Sequence, residues 1–248
     1  MRKMFSGRFS GSASLAALSL LFSALPAKAY QVSPMIYDLK VSGSGASTMI
    51  RVQNDEGKPI TIEVVAERRD FDENGKETRT PADSEFVLFP PQAVIAAGKT
   101  QAVRVQYVGA AKLDKSAMYV ITIKQVPVEL PASGPSGVQF VFNFGTVANV
   151  VPDGAKADIQ IASVTPAANG GLQLRVRNNG NKYANLAVGG VALTSGGQTV
   201  PISGDVWRNA LGSSWLLPGR ERLITLPAQG ALSGAVTGRF DASLSDKK

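Results

Sequence analysis

The chain has 248 residues, 44% of them hydrophobic, with 26 basic and 19 acidic side chains, no cysteine and no histidine. The two missing residue types exclude disulfide cross-links, Ser-His and Cys-His nucleophiles and His-ligated zinc, leaving carboxylates as the acid–base groups open to it. The formal charge of +7 is not gathered into basic runs interleaved with aromatics, which argues against a nucleic-acid partner.

The first 29 residues read as a secretory signal peptide. Arg2, Lys3 and Arg8 form a basic start, an apolar run follows over 14–25, and Pro26-Ala27-Lys28-Ala29 supplies an A-x-A cleavage site. The mature chain is expected to begin at Tyr30. Cleavage removes four basic residues (Arg2, Lys3, Arg8, Lys28) and no acid, so the remaining net charge is about +3. No later stretch is long and apolar enough for a membrane helix.

Beyond Tyr30 the chain reads as strands and turns, with no convincing helix and no internal repeat. Residues 31–40 form a first strand opened by Ser33-Pro34. Residues 48–54 alternate, with Met49, Arg51 and Gln53 against Ile50 and Val52. After a turn ending in Lys58-Pro59, 60–68 alternates again and is rich in β-branched residues. Residues 70–81 read as a polar hairpin tipped by Asn74-Gly75. Its acids Asp70, Asp72, Glu73 and Glu77 read as solvated, without EF-hand spacing. The run 85–89 is halted by Pro90-Pro91 and must end or edge a sheet. Strands follow over 93–96, 100–108 and 118–126, then a Pro- and Gly-containing loop over 127–136.

The stretch 138–144, VQFVFNF, places Val138, Phe140, Phe142 and Phe144 on one face at strand spacing. Two readings stand side by side. The ridge fills its own core, or it is donated as a strand to the groove of another protein. With a continuation to Val151 this makes about seven strands, the spacing of an immunoglobulin-like sandwich. Pro152-Asp153-Gly154 opens a linker over 152–157, and a smaller β-domain over 158–248 follows, with strands at 158–164, 172–178, 184–193, 199–202, 214–217, 222–226 and 238–244. The expected class is all-β, two immunoglobulin-like sandwiches in tandem.

In order and spacing these features resemble the periplasmic pilus-assembly chaperones of the chaperone–usher pathway. The resemblance rests on TMIRVQNDEGKPITIEV (48–64), FVLFPPQAVIAAGKTQAVRVQYV (86–108), MYVITIKQVP (118–127) and the 138–144 strand. It implies an ATP-independent binding protein without cofactors. Such a protein would complete the sandwich of a pilus subunit with its own strand (Val138, Phe140, Phe142 and Phe144 filling the groove) and pass the subunit to an outer-membrane usher. By the same resemblance Pro59, Pro90, Pro91, Arg104 and Val126 are candidate usher-docking residues, though each also fits a turn or edge role.

The chain departs from the family pattern at the cleft. The places of the family's basic pair are Pro34 and about Val147, and Ser116 and Val151 stand at two positions that commonly tie the domains together. This suggests a divergent branch similar to archaic or alternative systems, with Arg104 and Lys124 as substitute anchors for the subunit's carboxylate. Arg104 fits a structural ion pair equally well. Two other classes stay open. One is a structural pilus subunit, disfavoured because a strand starts directly after Tyr30, or another exported immunoglobulin-like binding protein. The other is a carboxylate-dependent glycoside hydrolase, disfavoured because no two acids look convergent.

Overall fold

The computed structural model describes residues 30–127 and 141–244, apart from 169, 229, 231 and 233. The signal-peptide reading, Val138, Phe140 and most of the 127–136 loop lie outside the described residues. The chain is an all-β, two-domain protein, with one short α-helix among the described residues.

The first half builds two facing sheets. One has the order β1 (Gln31–Ser33), β3 (Ser47–Gln53), β8 (Thr100–Tyr107), β6 (Phe86–Phe89). The other runs β2 (Ile36–Lys40), β10 (Asn143–Val151), β9 (Ala117–Val126), β4 (Ile60–Phe71), β5 (Glu77–Pro81), with β7 (Gln92–Ile95) also paired to β4. The expected alternation is observed: Ile50, Val52, Val103 and Val105 are buried, while Met49, Arg51, Gln53 and Arg104 are exposed. With Ile62, Tyr119 and Ile121 from the opposing sheet they form one core.

The first expected strand is corrected. Residues 31–40 form two strands in different sheets, separated at Ser33-Pro34. Proline has no amide to donate and interrupts the ladder there. β1 edges one sheet against β3, and β2 edges the other, parallel to β10. The described residues of the first half hold ten strands rather than about seven.

The second half forms its own core from the sheet β11 (Ile159–Pro166), β12 (Leu172–Asn178), β17 (Glu221–Leu226) and the sheet β15 (Gln198–Ile202), β14 (Gly190–Ser195), β18 (Thr237–Asp241). A small pair, β13 (Ala184–Asn185) and β16 (Trp215–Leu216), joins them. The expected strand over 184–193 is broken by a 3-10 turn at Leu186–Val188. A helix that the strand pattern did not predict, α1 (Gly204–Leu211), closes this core with Trp207 and Leu211, which one helical turn places on the same face. The Trp207 indole donates to the Leu186 carbonyl at 2.7 Å.

A repeat also emerges that the sequence reading did not find. Asn54 follows β3 and is fully buried. Its side-chain nitrogen donates to the carbonyls of Lys58 and Ile95, both at 2.9 Å, and its side-chain oxygen accepts from the amide of Glu56 at 2.9 Å. Its main chain bonds Gly98 and Lys99. Asn178 at the end of β12 repeats the knot. Its side-chain nitrogen donates to Lys182 at 2.7 Å and Leu216 at 3.2 Å, its side-chain oxygen accepts from Gly180 at 3.1 Å, and its main chain bonds Gly219 and Arg220. In both knots the amide comes from position i+2, the first carbonyl from i+4, and the partner strand offers residues spaced x, x+3 and x+4. Gly98 and Gly219 both have φ near +70°, a conformation glycine adopts freely.

Removing such a side chain strands several buried backbone groups, each costing about 1–3 kcal/mol. Asn178→Ala is therefore expected to destabilise the second domain by roughly 3 kcal/mol. Both tryptophans of the chain, Trp207 and Trp215, lie in this half, so a lowered urea midpoint by tryptophan fluorescence is the check. An unchanged midpoint would refute the knot's role.

Candidate strand-donating edge and interdomain joint

β10 has two different neighbours along its length. Against β9 it is antiparallel over Asn143–Val150, but against β2 it is paired only from Val147 to Val151. Val147 donates to the Met35 carbonyl at 2.8 Å, so odd-numbered residues of β10 direct their backbone groups toward β2. The amides and carbonyls of Asn143 and Gly145 then face the same side where β2 has ended. Among the described residues this is an open edge four residues long within an otherwise paired strand. Gly145 suits it, because a Cβ there would press on Val120 of β9 at 2.8 Å.

The side chains of the expected ridge divide. Phe144 is half-buried and packs on the core of its own domain, edge-on to Tyr30 with ring centroids 4.6 Å apart. Phe142 is 41% exposed and precedes the strand proper. Phe142 stays in register with β9, its carbonyl accepting from the Gln125 amide at 3.2 Å. The home-core reading thus holds for Phe144, while Phe142 is exposed beyond the end of that core. Val138 and Phe140 lie outside the described residues.

The two candidate anchors are not brought together. Lys124 lies on β9 in register between Glu63 of β4 and Asn143 of β10, in the sheet that carries the open edge. Arg104 lies on β8 in the other sheet, exposed, in register between Met49 and Phe89. Phe89 is 68% exposed, and Val87 and Met49 are exposed on the same face. Pro59 and Pro91 are exposed, Pro90 is half-buried, and the Pro91 carbonyl accepts from Val64 at 2.8 Å. Val126 ends β9 opposite Thr61, whose other neighbour is the exposed Val94.

Val147, at an expected place of a basic cleft residue, is apolar in fact as well as in sequence. It packs with Phe71, Met118, Leu217, Tyr183 and Trp215 in a cluster between the halves. Around this cluster runs a polar joint that sequence reasoning missed. Asp38 on β2 accepts from the Tyr183 hydroxyl at 2.6 Å and from Asn149 at 3.2 Å, and pairs with Lys182 at 3.1 Å. Burial is the main cause that raises the Tyr183 phenol, and the Asp38 hydrogen bond adds to it. Ser116 donates its amide to the Asn181 carbonyl at 2.9 Å and accepts from the Tyr183 amide at 2.8 Å.

Two of the acids read as a solvated loop, Asp70 and Glu73, also belong to the joint. Asp70 pairs with Arg220, Glu73 with Arg175 at 3.5 Å, and the Glu73 carbonyl accepts from Leu223 at 2.7 Å. Glu77 pairs with Arg69 at 2.5 Å. Burial opposes ionisation of Glu77, but Arg69 and Arg79 outweigh it and hold its carboxyl below the usual range. Nothing local marks Asp70 and Glu73 as joint residues, because Arg220 and Arg175 lie more than 100 positions away. Among the described residues no group of three or more acids is placed to hold a metal, and no helix is long and apolar enough to cross a membrane.

Asp38→Ala leaves the Tyr183 hydroxyl and the Lys182 ammonium without their acceptor. It is expected to lower stability by about 1–2 kcal/mol, since the site is partly exposed. A red-shifted Trp215 emission, with the Trp207 core intact, would accompany it. Unchanged emission and midpoint would show that the joint does not rest on Asp38.

Residues 36–150 match the family of pili and flagellar-assembly chaperones, PapD N-terminal domain. A search among curated proteins found no match. Among solved structures, the chain is similar to the class 5 fimbriae chaperone CfaA, with a TM-score of 0.57, 15% identity and coverage of 86% of this chain and 98% of that one. It is similar to a chain in the Salmonella enterica SafA pilin–SafB chaperone complex, with a TM-score of 0.55, 17% identity and coverage of 82% and 86%. A chain in the chaperone–tip adhesion subunit complex CsuC–CsuE of archaic Csu pili of Acinetobacter baumannii gives 0.51, 16%, 79% and 89%. At these identities the likeness is one of fold. Residues 36–150 thus form an amino-terminal domain of the kind found in pili and flagellar-assembly chaperones.

Proposed function

We propose that this chaperone works in the periplasm after cleavage at Ala29, completing the sandwich of a pilus subunit by strand donation and delivering it to an outer-membrane usher. The observation that carries this reading is the open edge of β10 over residues 143–146, continuous with the exposed Phe142. A sandwich that lacks a strand exposes unpaired backbone groups and an apolar groove. The edge supplies the ladder, and Phe142, continued by Phe140 and Val138, supplies the groove fillers. The protein is organised as residues 30–151, a linker over 152–157 and a carboxy-terminal domain over 158–248. Of the two cationic candidates Lys124 is the better placed for a client carboxylate, because it shares the donating sheet. Arg104 with Phe89, and Pro59, Pro90, Pro91 and Val126, are assigned to usher docking. No catalysis is assigned to the chain.

Full burial of one phenylalanine is worth about 1.5–3 kcal/mol, a tenfold or larger effect on affinity. Phe142→Asp is therefore expected to abolish accumulation of the subunit in the periplasm when chaperone and neighbouring gene cluster are expressed together. Normal accumulation would overturn strand donation. The double variant Phe89→Ala/Arg104→Ala is expected to leave subunit capture intact while surface pili fall at least tenfold by electron microscopy. Normal piliation would remove that face from delivery.

A further inference from the structure

The residue immediately before β1 reaches across the mouth of the sandwich. Tyr30 is only 1% exposed. Its hydroxyl lies between two backbone carbonyls of the donating sheet, Ile123 at 3.0 Å and Phe142 at 2.8 Å. Its ring meets Phe144 edge-on at 4.6 Å with an interplanar angle of 73°. The chain then enters β1 in the opposite sheet, so one side chain ties both sheets together where β10 leaves its own core. Burial raises the phenol above its ordinary value, so it stays protonated and able to donate.

We propose that Tyr30 is a positioning residue for the client-binding strand. Its ring fills the interior next to Phe144, and its hydroxyl holds the Phe142 carbonyl, so the home core ends at Phe144 and the presented ridge begins at Phe142. The inference rests on the strand-donation reading above. Among the described residues the Phe142 carbonyl has two holds, Tyr30 and the Gln125 amide. Losing one frees the end of the strand to fray without touching the core.

The test is Tyr30→Phe, which keeps the ring and removes only the hydroxyl. Two quantities are read: hydrogen exchange at the Gln125 amide in client-free protein, and capture of the subunit that co-purifies with the unaltered chaperone. A single neutral hydrogen bond corresponds to about a two- to tenfold change in each. Faster exchange at Gln125 together with weaker capture, at an unchanged urea midpoint, is the expected result. Unchanged exchange overturns the inference, and so does faster exchange with normal capture. Phe142→Asp is run beside it. If that variant captures normally, strand donation itself fails. If it fails to capture while Tyr30→Phe behaves like the unaltered protein, only the role of Tyr30 is lost.

Discussion

Two buried amides hold the corners of this molecule. Asn54 and Asn178 each sit where a strand ends and the chain must turn, and each occupies its donors and acceptor with backbone groups of two loops at once. A loop carried into the interior cannot leave its amides and carbonyls without partners. A single asparagine answers that demand because it offers both donors and an acceptor on a short, stiff stem. With the Asn54 knot closed, β3 and β8 are held in register, and the outer face that carries Met49, Arg104 and Phe89 follows from that register. The Asn178 knot does more. Its loop presents Asn181, Lys182 and Tyr183 to the first half, so the same residue that closes a turn also orients the joint.

The joint is mixed in character. Its centre is apolar, with Met118, Phe71 and Leu217 buried and Val147 packed against them. Its rim is a ring of partly exposed ion pairs, each weak by itself. Directional contacts such as Tyr183 to Asp38 add an angular preference that apolar packing lacks. Since Asp38 lies on β2, the strand whose end creates the open edge, the element that limits the edge is the one pinned to the second domain.

Period-two alternation made β3, β4 and β8 legible residue by residue, because each has one face in the core and one in water. The paired prolines marked the end of β6 for a local reason, the missing amides. What stayed hidden was relational. Residues 31–40 read as one extended run opened by Ser33-Pro34, and only the packed structure shows that the two pieces serve different sheets. α1 spans two turns, and its signals (Ser203 before it, Asp205 in its first turn, Trp207 and Leu211 four apart, Gly212 after it) are no stronger than those of a loop. The repeated knot was invisible because NDEGK and NNGNK share little beyond their first and last residues. Of the candidate site, the phenylalanine ridge could be read in sequence. Its division at Phe144 could not, because that depends on where Tyr30 comes to rest.

β10 changes character along its length. From Val147 onward it is an interior strand of its own sheet, and before that residue β9 is its one neighbour among the described residues. A binding element built this way is not a ligand on a tether but the continuation of a fixed beam. Its orientation is inherited from the paired half of the strand, so a partner aligned with it would cost little conformational freedom.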